Sequence, residues 1–435
     1  MAASTDAMYN AESRYIHERF LIYFTSVPLE VTKSNYLVSS SVLEESSKLS
    51  DSPFGTITSN ELTLSLFNEI GLFNPQNTSS PYYGQIKKGI KIEAFIRPNE
   101  VDDWDPLGVF YVTNWSTNSS GMLADIVAND ALYNVLNGSV PSLPVFRNVP
   151  VSSFMISYFE LFNLSVNVDT DIDIVIPYIY SSGYSDNKEL LSDVLNASLC
   201  ECFCDHNGNV VVTSRLHTRG IRDTFTDNDQ IINVTIKQSV TSSFDSVVVA
   251  CNTGQESAET NLLSISDMSI VPGINHIDAT ALSSTPALSI RSVSTSGSEA
   301  VQVKSFKASA SDFTCDLQSS GTLSTSVSVT GTILKTVKSF VGETSESTLK
   351  IDNNFIQKST DANKVRKYGL SYIESSVPTL DITVRGNPRL NLGDVIYVNS
   401  AKYQTKYTGR ILKVQYDYSG GLTCSMTLIL NIEEV

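Results

Sequence analysis

Alternating apolar and polar positions predict that the first third of the chain is built mainly of β-strands. Five segments carry this alternation or a short apolar run, namely residues 20–24, 61–66, 91–96, 107–115 and 122–128. Asn129 or Asp130 can then cap a short helix at 131–136, because both side chains accept hydrogen bonds from free backbone N–H groups. We therefore expect one β-barrel domain at residues 1–148.

The middle of the chain changes its period and predicts helices beside a hairpin. Three prolines without periodicity at 138–150 mark a boundary. The predicted elements are a helix at 152–162, a strand-like stretch at 166–180, a second helix at 188–199 and a hairpin at 200–214. The hairpin turns at Asn207-Gly208, a pair that tolerates the positive φ angles of such turns. We expect a small α+β domain at 149–230.

The last third begins with an apolar strand at 244–251 and continues into a Ser/Thr-rich stretch at 253–348. Low hydrophobicity alone would favour disorder, but β-branched residues alternate there, as at 323–329, and this favours β-structure. A helix is predicted at 362–372, where small and apolar residues fall at helical spacing. We expect a discontinuous β-barrel formed by 231–262 and 360–435, and an inserted β domain at 263–359.

The closing stretch, residues 377–435, predicts a meander whose strands are joined by glycine-dependent turns. Its strands are expected at 380–384, 395–398 and 411–416, with a last strand that ends at 429. Gly386 and Gly393 are the predicted turn residues, because glycine adopts positive φ angles without steric cost. We predict that the strand at 244–251 is the first strand of the barrel that this meander completes.

Composition and charge narrow the function classes. The chain has 435 residues, of which 41% are hydrophobic, and a net charge of −16. Its length is enough for roughly two to four domains with cores of their own. Lys and Arg do not cluster, so attraction to nucleic-acid phosphates is not expected. An acidic surface along which DNA slides without binding is still compatible with this composition. Neither a signal peptide nor a segment long enough to span a bilayer is expected.

One cluster invites a metal-binding interpretation. Cys200, Cys202, Cys204 and His206 alternate and would face one side of a strand. The usual zinc sites have two or more residues between paired cysteines, however. Free cysteines commonly pack as small hydrophobic side chains, so buried thiols are the favoured interpretation. Six cysteines at this chain length do not predict a disulfide framework.

The remaining candidate chemistry is weaker. Asp169, Asp171 and Asp173 alternate as in a calcium loop, but the positions that need glycine and glutamate hold Ile174 and Tyr180. The four histidines, His17, His206, His217 and His276, are scattered and lie in no catalytic motif. We predict no catalytic residue, no metal site and no cofactor, and we do not expect an enzyme.

The order of motifs along the chain carries a family resemblance. Residues 351–357 precede a helix, and a strand then leads into Arg385-Gly386-Asn387-Pro388 and Leu390-Asn391-Leu392-Gly393-Asp394. The strand at 107–112, the step into a helix at 126–132 and the Asn207-Gly208 hairpin add to this order. In this order the chain resembles bacteriophage tail proteins, namely the central baseplate hub of contractile phages and the tail-associated proteins of siphophages. The resemblance does not cover the Ser/Thr-rich stretch.

This resemblance implies a mainly β (α+β) fold of two tail-tube-like β-barrels, linked by the small α+β domain and carrying the Ser/Thr-rich insert. It implies a homotrimeric ring that joins the hexameric tail tube to a trimeric spike or tip and lets DNA pass at ejection. The implied partners are tail-tube or distal tail proteins, the spike or tip protein and other baseplate proteins, with genomic DNA only transiently in the lumen. The protein would be made in the host bacterial cytoplasm and end in the virion.

Two other functions compete with the structural one. Many tail-associated siphophage proteins continue into a fibre or a peptidoglycan-degrading domain, whereas this sequence ends after its last strand, so we expect lytic activity to belong to a separate partner. A carbohydrate-binding β-adhesin would stack exposed aromatic side chains on sugars, and the candidates are Tyr82, Tyr83, Trp104 and Trp115. Aromatic residues of β-proteins more often belong to the core. A cell-wall hydrolase would need two acids that meet in space, and no pair is favoured.

Overall fold

The computed structural model describes residues 8–9, 11, 14–48, 54–99, 103–118, 121–169, 174–216, 220–227, 230–237, 244–296, 300–374 and 379–430. Strands hold 54% of the described residues and helices 11%, which confirms the predicted mainly β class. Within these ranges, no helix is both long enough and apolar enough to cross a membrane.

The first third forms strands with one short helix, close to the predicted positions. The elements are β1 (Ile16–Ile22), β2 (Leu29–Thr32), β3 (Leu37–Glu45), β4 (Ser47–Lys48), β5 (Thr56–Ile57), β6 (Glu61–Phe67), β7 (Lys91–Pro98), β8 (Asp105–Thr117), β9 (Leu123–Asn129) and α1 (Leu132–Leu136). Alternate residues of β6 and β7 are buried, as their sequence pattern requires. Asp130 is the residue that caps the start of α1, because its Oδ1 accepts a hydrogen bond from Leu132 N at 3.0 Å.

The middle of the chain is the predicted mixture of helices and short strands. Its elements are β10 (Phe146–Pro150), α2 (Val151–Glu160), β11 (Val166–Val168), β12 (Val175–Ile179), α3 (Asn187–Ala197), β13 (Cys200–Cys204), β14 (Val210–Ser214), β15 (Ile221–Thr226) and β16 (Ile231–Lys237). β13 and β14 pair as an antiparallel hairpin, and Gly208 turns it with a φ of +81°. The predicted Asn207-Gly208 turn is therefore present.

The last third contains the longest strands. Its elements are β17 (Ser246–Glu256), β18 (Thr260–Ile270), β19 (Gly273–Ala281), β20 (Ala287–Ser296), β21 (Val301–Ala308), β22 (Asp312–Ser319), β23 (Leu323–Val341), β24 (Thr348–Ile351), α4 (Ser359–Glu374), β25 (Thr379–Val384), β26 (Val395–Ser400), β27 (Thr405–Tyr418) and β28 (Leu422–Leu430). The Ser/Thr-rich stretch thus forms strands, and its inward residues build a small core of their own that includes Phe313 and Val329. The treatment of 263–359 as an inserted domain stays a prediction.

One large sheet connects the two ends of the chain. Its strand order is β16-β25-β28-β27-β3-β6-β9-β8-β7-β1-β2, and β26 joins β15 to β27. The two halves meet where β27 pairs antiparallel with β3, from Lys413 opposite Glu45 to Tyr418 opposite Ser40. A single core cluster accordingly contains both Phe110 of β8 and Leu428 of β28. The two-barrel description stays a prediction, since the strands of both halves are continuous in one sheet.

The prediction that the strand at 244–251 begins the C-terminal barrel was wrong. The strand predicted at 244–251 is β17, and it pairs with β23 and β24 in a separate sheet instead of with the closing strands. Besides β3, the earlier strands that join the closing meander are β15, which pairs with β26, and β16, which pairs with β25. The physical reason is that an apolar alternation specifies which face of a strand is buried but not which strand lies beside it. The boundaries 1–148, 149–230, 231–262 with 360–435, and 263–359 stay predictions.

Candidate functional site

Residues 385–394 form the loop at which three parts of the chain meet, and we call it the joint loop. It connects β25 to β26 and contains the Gly-Asn-Pro and Leu-Gly-Asp motifs. Gly386 and Gly393 adopt φ angles of +96° and +83°, so the two predicted turn glycines have the backbone conformation that favours glycine. A Cβ at Gly386 would lie 2.5 Å from Cys424 Cβ, which leaves no room for a side chain.

The joint loop is tied to the N-terminal half by ion-pair and hydrogen bonds. Arg389 Nε donates to both carboxylate oxygens of Asp105, at 3.0 and 3.1 Å, and Asp105 also accepts from the Tyr9 hydroxyl at 2.9 Å. Arg14 Nη1 donates to the carbonyl of Gly386 at 2.8 Å. These contacts fix the loop against the start of β8 and the segment before β1.

A buried ion pair lies behind the loop and connects the middle hairpin to the closing strands. Glu201 of β13 and Arg410 of β27 are 1% and 8% exposed, and Arg410 Nη1 donates to Glu201 Oε1. Ser46 Oγ donates to the second carboxylate oxygen of Glu201 at 3.0 Å. The Glu201 carboxylate therefore accepts hydrogen bonds from both the N-terminal and the C-terminal parts of the chain. We count this ion pair among the contacts that join the two parts.

A second buried pair joins the turn of the same hairpin to the seam strand β3. His206 Nε2 lies 2.9 Å from Glu44 Oε1, and both residues are buried. Burial lowers the pKa of His206, but the charge of Glu44, a hydrogen bond to it and the nearby Asp205 and Asp394 outweigh that effect and raise the pKa overall. The contact between the imidazole and the carboxylate joins the hairpin turn to β3.

A cleft of about 490 Å³ opens beside the joint loop. Its lining mixes both charges, and includes Asp105, Asp205, His206, Arg222, Arg389 and Asn391. Arg389 and His206 are already engaged by Asp105 and Glu44. Among the described residues, no group of three His, Cys, Asp or Glu side chains is placed to hold a metal ion. Arg389 and His206 connect distant parts of the chain at this cleft, through their contacts with Asp105 and Glu44.

A second and larger cleft, of about 770 Å³, lies between β1, β2 and the β27–β28 turn. Arg14, His17, Lys33, Arg97 and Arg385 line it together with the carboxylates of Glu18 and Glu30. The rim is therefore more basic than the chain as a whole, whose net charge is −16.

Glu18 is the unusual group of this larger cleft, because it is a carboxyl group that is 4% exposed. Ser40 Oγ donates to its Oε2 at 2.5 Å. Burial raises the pKa of Glu18 to about 7, although the hydrogen bond from Ser40 lowers it. Below about pH 7 the folded chain therefore favours the protonated carboxyl of Glu18.

We expect Glu18→Gln to make the protein more stable than the wild type at about pH 8. Because the pKa of Glu18 is higher in the folded chain than in the unfolded chain, the wild type loses stability as the pH rises from the ordinary carboxyl range through about 7. The neutral amide removes this loss. Thermal unfolding between about pH 4 and pH 8 measures it, with Glu30→Gln of the exposed rim as the matched control. If Glu18→Gln and the wild type lost the same stability as the pH rises, Glu18 would not be the cause of the pH dependence.

The three cysteines of the candidate metal cluster are buried free thiols, as predicted. β13 is buried on both faces, and Asn60 Nδ2 donates to the carbonyl of Cys204 at 3.1 Å. Burial raises the pKa of all three thiols. His206 does not join them, since it faces Glu44.

Of the remaining acid and histidine candidates, the described residues His17, Asp169 and His276 lie in different parts of the fold. Asp171, Asp173 and His217 lie outside the described residues. Asp169 N donates to the carbonyl of Val212 at 2.9 Å. On a different sheet, His276 is exposed and its Nδ1 lies 2.7 Å from Asp316.

The four aromatic candidates for sugar stacking lie in three different settings. Tyr82 stacks on Phe24 with ring centroids 4.4 Å apart, and Trp115 packs near the same ring at 5.8 Å. Trp104 is covered by the guanidinium groups of Arg19 and Arg97, at 4.4 and 4.5 Å from its ring. Tyr83 is 52% exposed. The candidates therefore do not share one open platform.

Sequence reasoning found the glycines of the joint loop but missed its charged partners. Glu201 and Arg410 are 209 residues apart in sequence, and Arg389 and Asp105 are 284 apart. A single charged residue inside an apolar alternation, such as Glu201 between Cys200 and Cys202, was the available signal. It indicates a buried charge but does not identify the partner.

Comparison with known proteins gives a fold relationship. No family model matches the sequence, and no curated protein sequence matches it. The chain is similar in structure to the 43 kDa tail protein of prophage MuSo2 from Shewanella oneidensis, with a TM-score of 0.56 and 11% identity over 95% of this chain and 98% of that one. It is also similar to a tail protein from Neisseria meningitidis MC58, with a TM-score of 0.57 and 10% identity over 96% and 97% of the two chains.

The predicted resemblance to phage tail proteins is confirmed at the level of the fold. Both relationships run across nearly the full length of each chain.

Proposed function

We propose that this protein is a structural component of a phage tail baseplate, a hub whose three copies form a ring between the tail tube and a spike or tip. The observation that carries the proposal is the near full-length fold similarity to two tail proteins. The contacts between the two halves of the large sheet support it. The sheet is continuous through β3 and β27, and the buried Glu201–Arg410 pair adds a further link, so the chain forms a stiff unit suited to bearing load.

The proposed mechanism is mechanical. Each copy would present one half of its large sheet to the tail tube or distal tail proteins and the other toward the spike and other baseplate proteins. The net charge of −16 would let genomic DNA cross a lumen without sticking, since like charges repel. The lumen assignment requires that acidic side chains face the ring axis, and acids mapped to the outer wall would contradict it. The site of action would be the virion, after synthesis in the host cytoplasm.

We expect the purified protein to be a trimer at micromolar concentration. Light scattering coupled to size exclusion should give three times the chain mass of 47.5 kDa. A monomer in solution, together with a copy number other than a multiple of three in the assembled particle, would contradict the ring.

A further inference from the structure

The C-terminal end of β23 extends beyond its neighbour β20 and leaves one strand edge open among the described residues. β20 pairs with β23 as far as Ile333, and Leu334 N donates to the Pro286 carbonyl at 2.9 Å. Beyond that point β23 pairs only with β17, up to Val341 opposite Val249. On the side of β20, residues 335–341 therefore have no neighbouring strand within the described parts of the chain.

Strand alternation determines which backbone groups face this edge. Leu334 N points away from β17, so the N–H and C=O groups of Thr336, Lys338 and Phe340 point the same way. Among the described residues these groups have no hydrogen-bond partner. The side chains at 335–340 are all exposed, with Phe340 at 67% and Val337 at 50%. An exposed apolar edge of this kind is a template for the addition of another strand.

The chain closes another strand edge, that of β2, with a side chain of its own. On β2, the edge strand of the large sheet, Asn35 Oδ1 accepts from Thr32 N at 2.7 Å and Asn35 Nδ2 donates to the Glu30 carbonyl at 2.9 Å. The polar groups that a new strand would need are thus already occupied on β2. No side chain does this for Thr336, Lys338 and Phe340 in the described structure.

The charge around the open edge favours an acidic occupant. Residues 335–341 carry two Lys and no Asp or Glu, in a chain whose net charge is −16. Lys335 and Lys338 lie on the edge itself, and Lys338 Nζ already pairs with Asp352 at 2.5 Å. Antiparallel pairing of two copies through this edge would bring their lysines together, and like charges on neighbouring strands are destabilising.

We propose that residues 335–341 bind an extended, acidic segment of a partner protein, which adds to the sheet as a strand beside β23. Main-chain hydrogen bonds to Thr336, Lys338 and Phe340 would hold the segment. Its apolar side chains would cover Val337 and Phe340, and its carboxylates would reach Lys335 and Lys338. Strand addition of this kind gives affinity through the main chain and specificity through alternate side chains.

The test uses the full chain and a capped peptide of about nine residues with the repeat Val-Thr-Glu, called the Val/Glu peptide. In antiparallel register this repeat places Val opposite Val337 and Phe340, and Glu opposite Lys335 and Lys338. A peptide of the same length with the repeat Val-Thr-Lys, called the Val/Lys peptide, is the control. Thr336→Pro removes a donor that faces the open edge while the pairing with β17 is kept, because proline is tolerated where the strand N–H faces solvent. Thr336→Ala keeps the donor. Fluorescence anisotropy measures binding, and deuterium uptake at 335–341 reports where the peptide binds.

The proposal predicts that the Val/Glu peptide binds and slows deuterium uptake at 335–341. It predicts that Thr336→Pro weakens binding about tenfold or more, and that Thr336→Ala binds as the wild type does. Equal binding of the Val/Lys peptide would overturn the acidic specificity. Unchanged deuterium uptake at 335–341 would overturn the site. An oligomer that Thr336→Pro dissociates would identify a second copy as the occupant and would also overturn the proposal.

Discussion

Replacing Arg410 with methionine is expected to lower the free energy of unfolding by about 3–5 kcal/mol, because it leaves a buried carboxylate without its charged partner. Glu201 is 1% exposed and receives hydrogen bonds from Arg410 and from Ser46 Oγ. The remaining donor, a neutral hydroxyl, cannot neutralise a buried charge. Urea unfolding followed by circular dichroism measures the loss.

The double variant Glu201→Leu with Arg410→Met is the control for this prediction. Replacing both members of a buried ion pair by apolar residues of similar volume is often nearly neutral, so most of the stability should return. If the double variant were as unstable as Arg410→Met, the loss would come from packing around Arg410 and the electrostatic explanation would be wrong.

Gly386→Ala is expected to lower the free energy of unfolding by about 2–4 kcal/mol, from backbone strain and overpacking together. Gly386 has a φ of +96°, a conformation that residues with a Cβ rarely adopt, and the new Cβ would lie 2.5 Å from Cys424 Cβ. Both effects act where the joint loop packs against Cys424 of β28. The same urea unfolding experiment gives the value.

Gly421→Ala is the matched control, since Gly421 lies in the β27–β28 turn without a positive φ, and a Cβ added there would have no atom within 4 Å. It should change stability by only a few tenths of a kcal/mol. Equal losses in the two variants would mean that any glycine replacement near these strands is harmful, and that Gly386 has no special place in the fold.

The elements and turns were largely predictable from sequence because they depend on local chemistry. The alternation at 61–66 and 91–96 appears as β6 and β7, and the Asn207-Gly208 turn closes β13 and β14. Gly386 and Gly393 have the positive φ angles expected of turn residues. In each case neighbouring residues determine the conformation, so no knowledge of the tertiary structure is needed.

The pairing of distant strands was not predictable in the same way. The strand at 244–251 has the apolar pattern of a barrel strand, yet it pairs with β23 and β24. Nothing local in β3 or β27 indicates that the two pair and so make the sheet continuous. Alternation determines the buried face, whereas the choice of partner depends on how all the strands pack.

The candidate site was predicted in part for the same reason. The joint loop was found through its glycines, but its function as a meeting point depends on Asp105, Glu201 and Arg410, which come from three separate regions of the sequence. The aromatic residues chosen for sugar stacking were plausible by type. Three of their rings are instead engaged with Phe24 or with the guanidinium groups of Arg19 and Arg97, and only the tertiary structure shows this.

The most direct test of the structural assignment is a low-resolution image of the particle with this protein labelled, for example by a bound antibody fragment. A tail baseplate hub predicts label on the tail axis at the distal end of the tube, with three copies around the axis. Label on the capsid or on peripheral fibres would contradict the proposed function, and so would a particle without label.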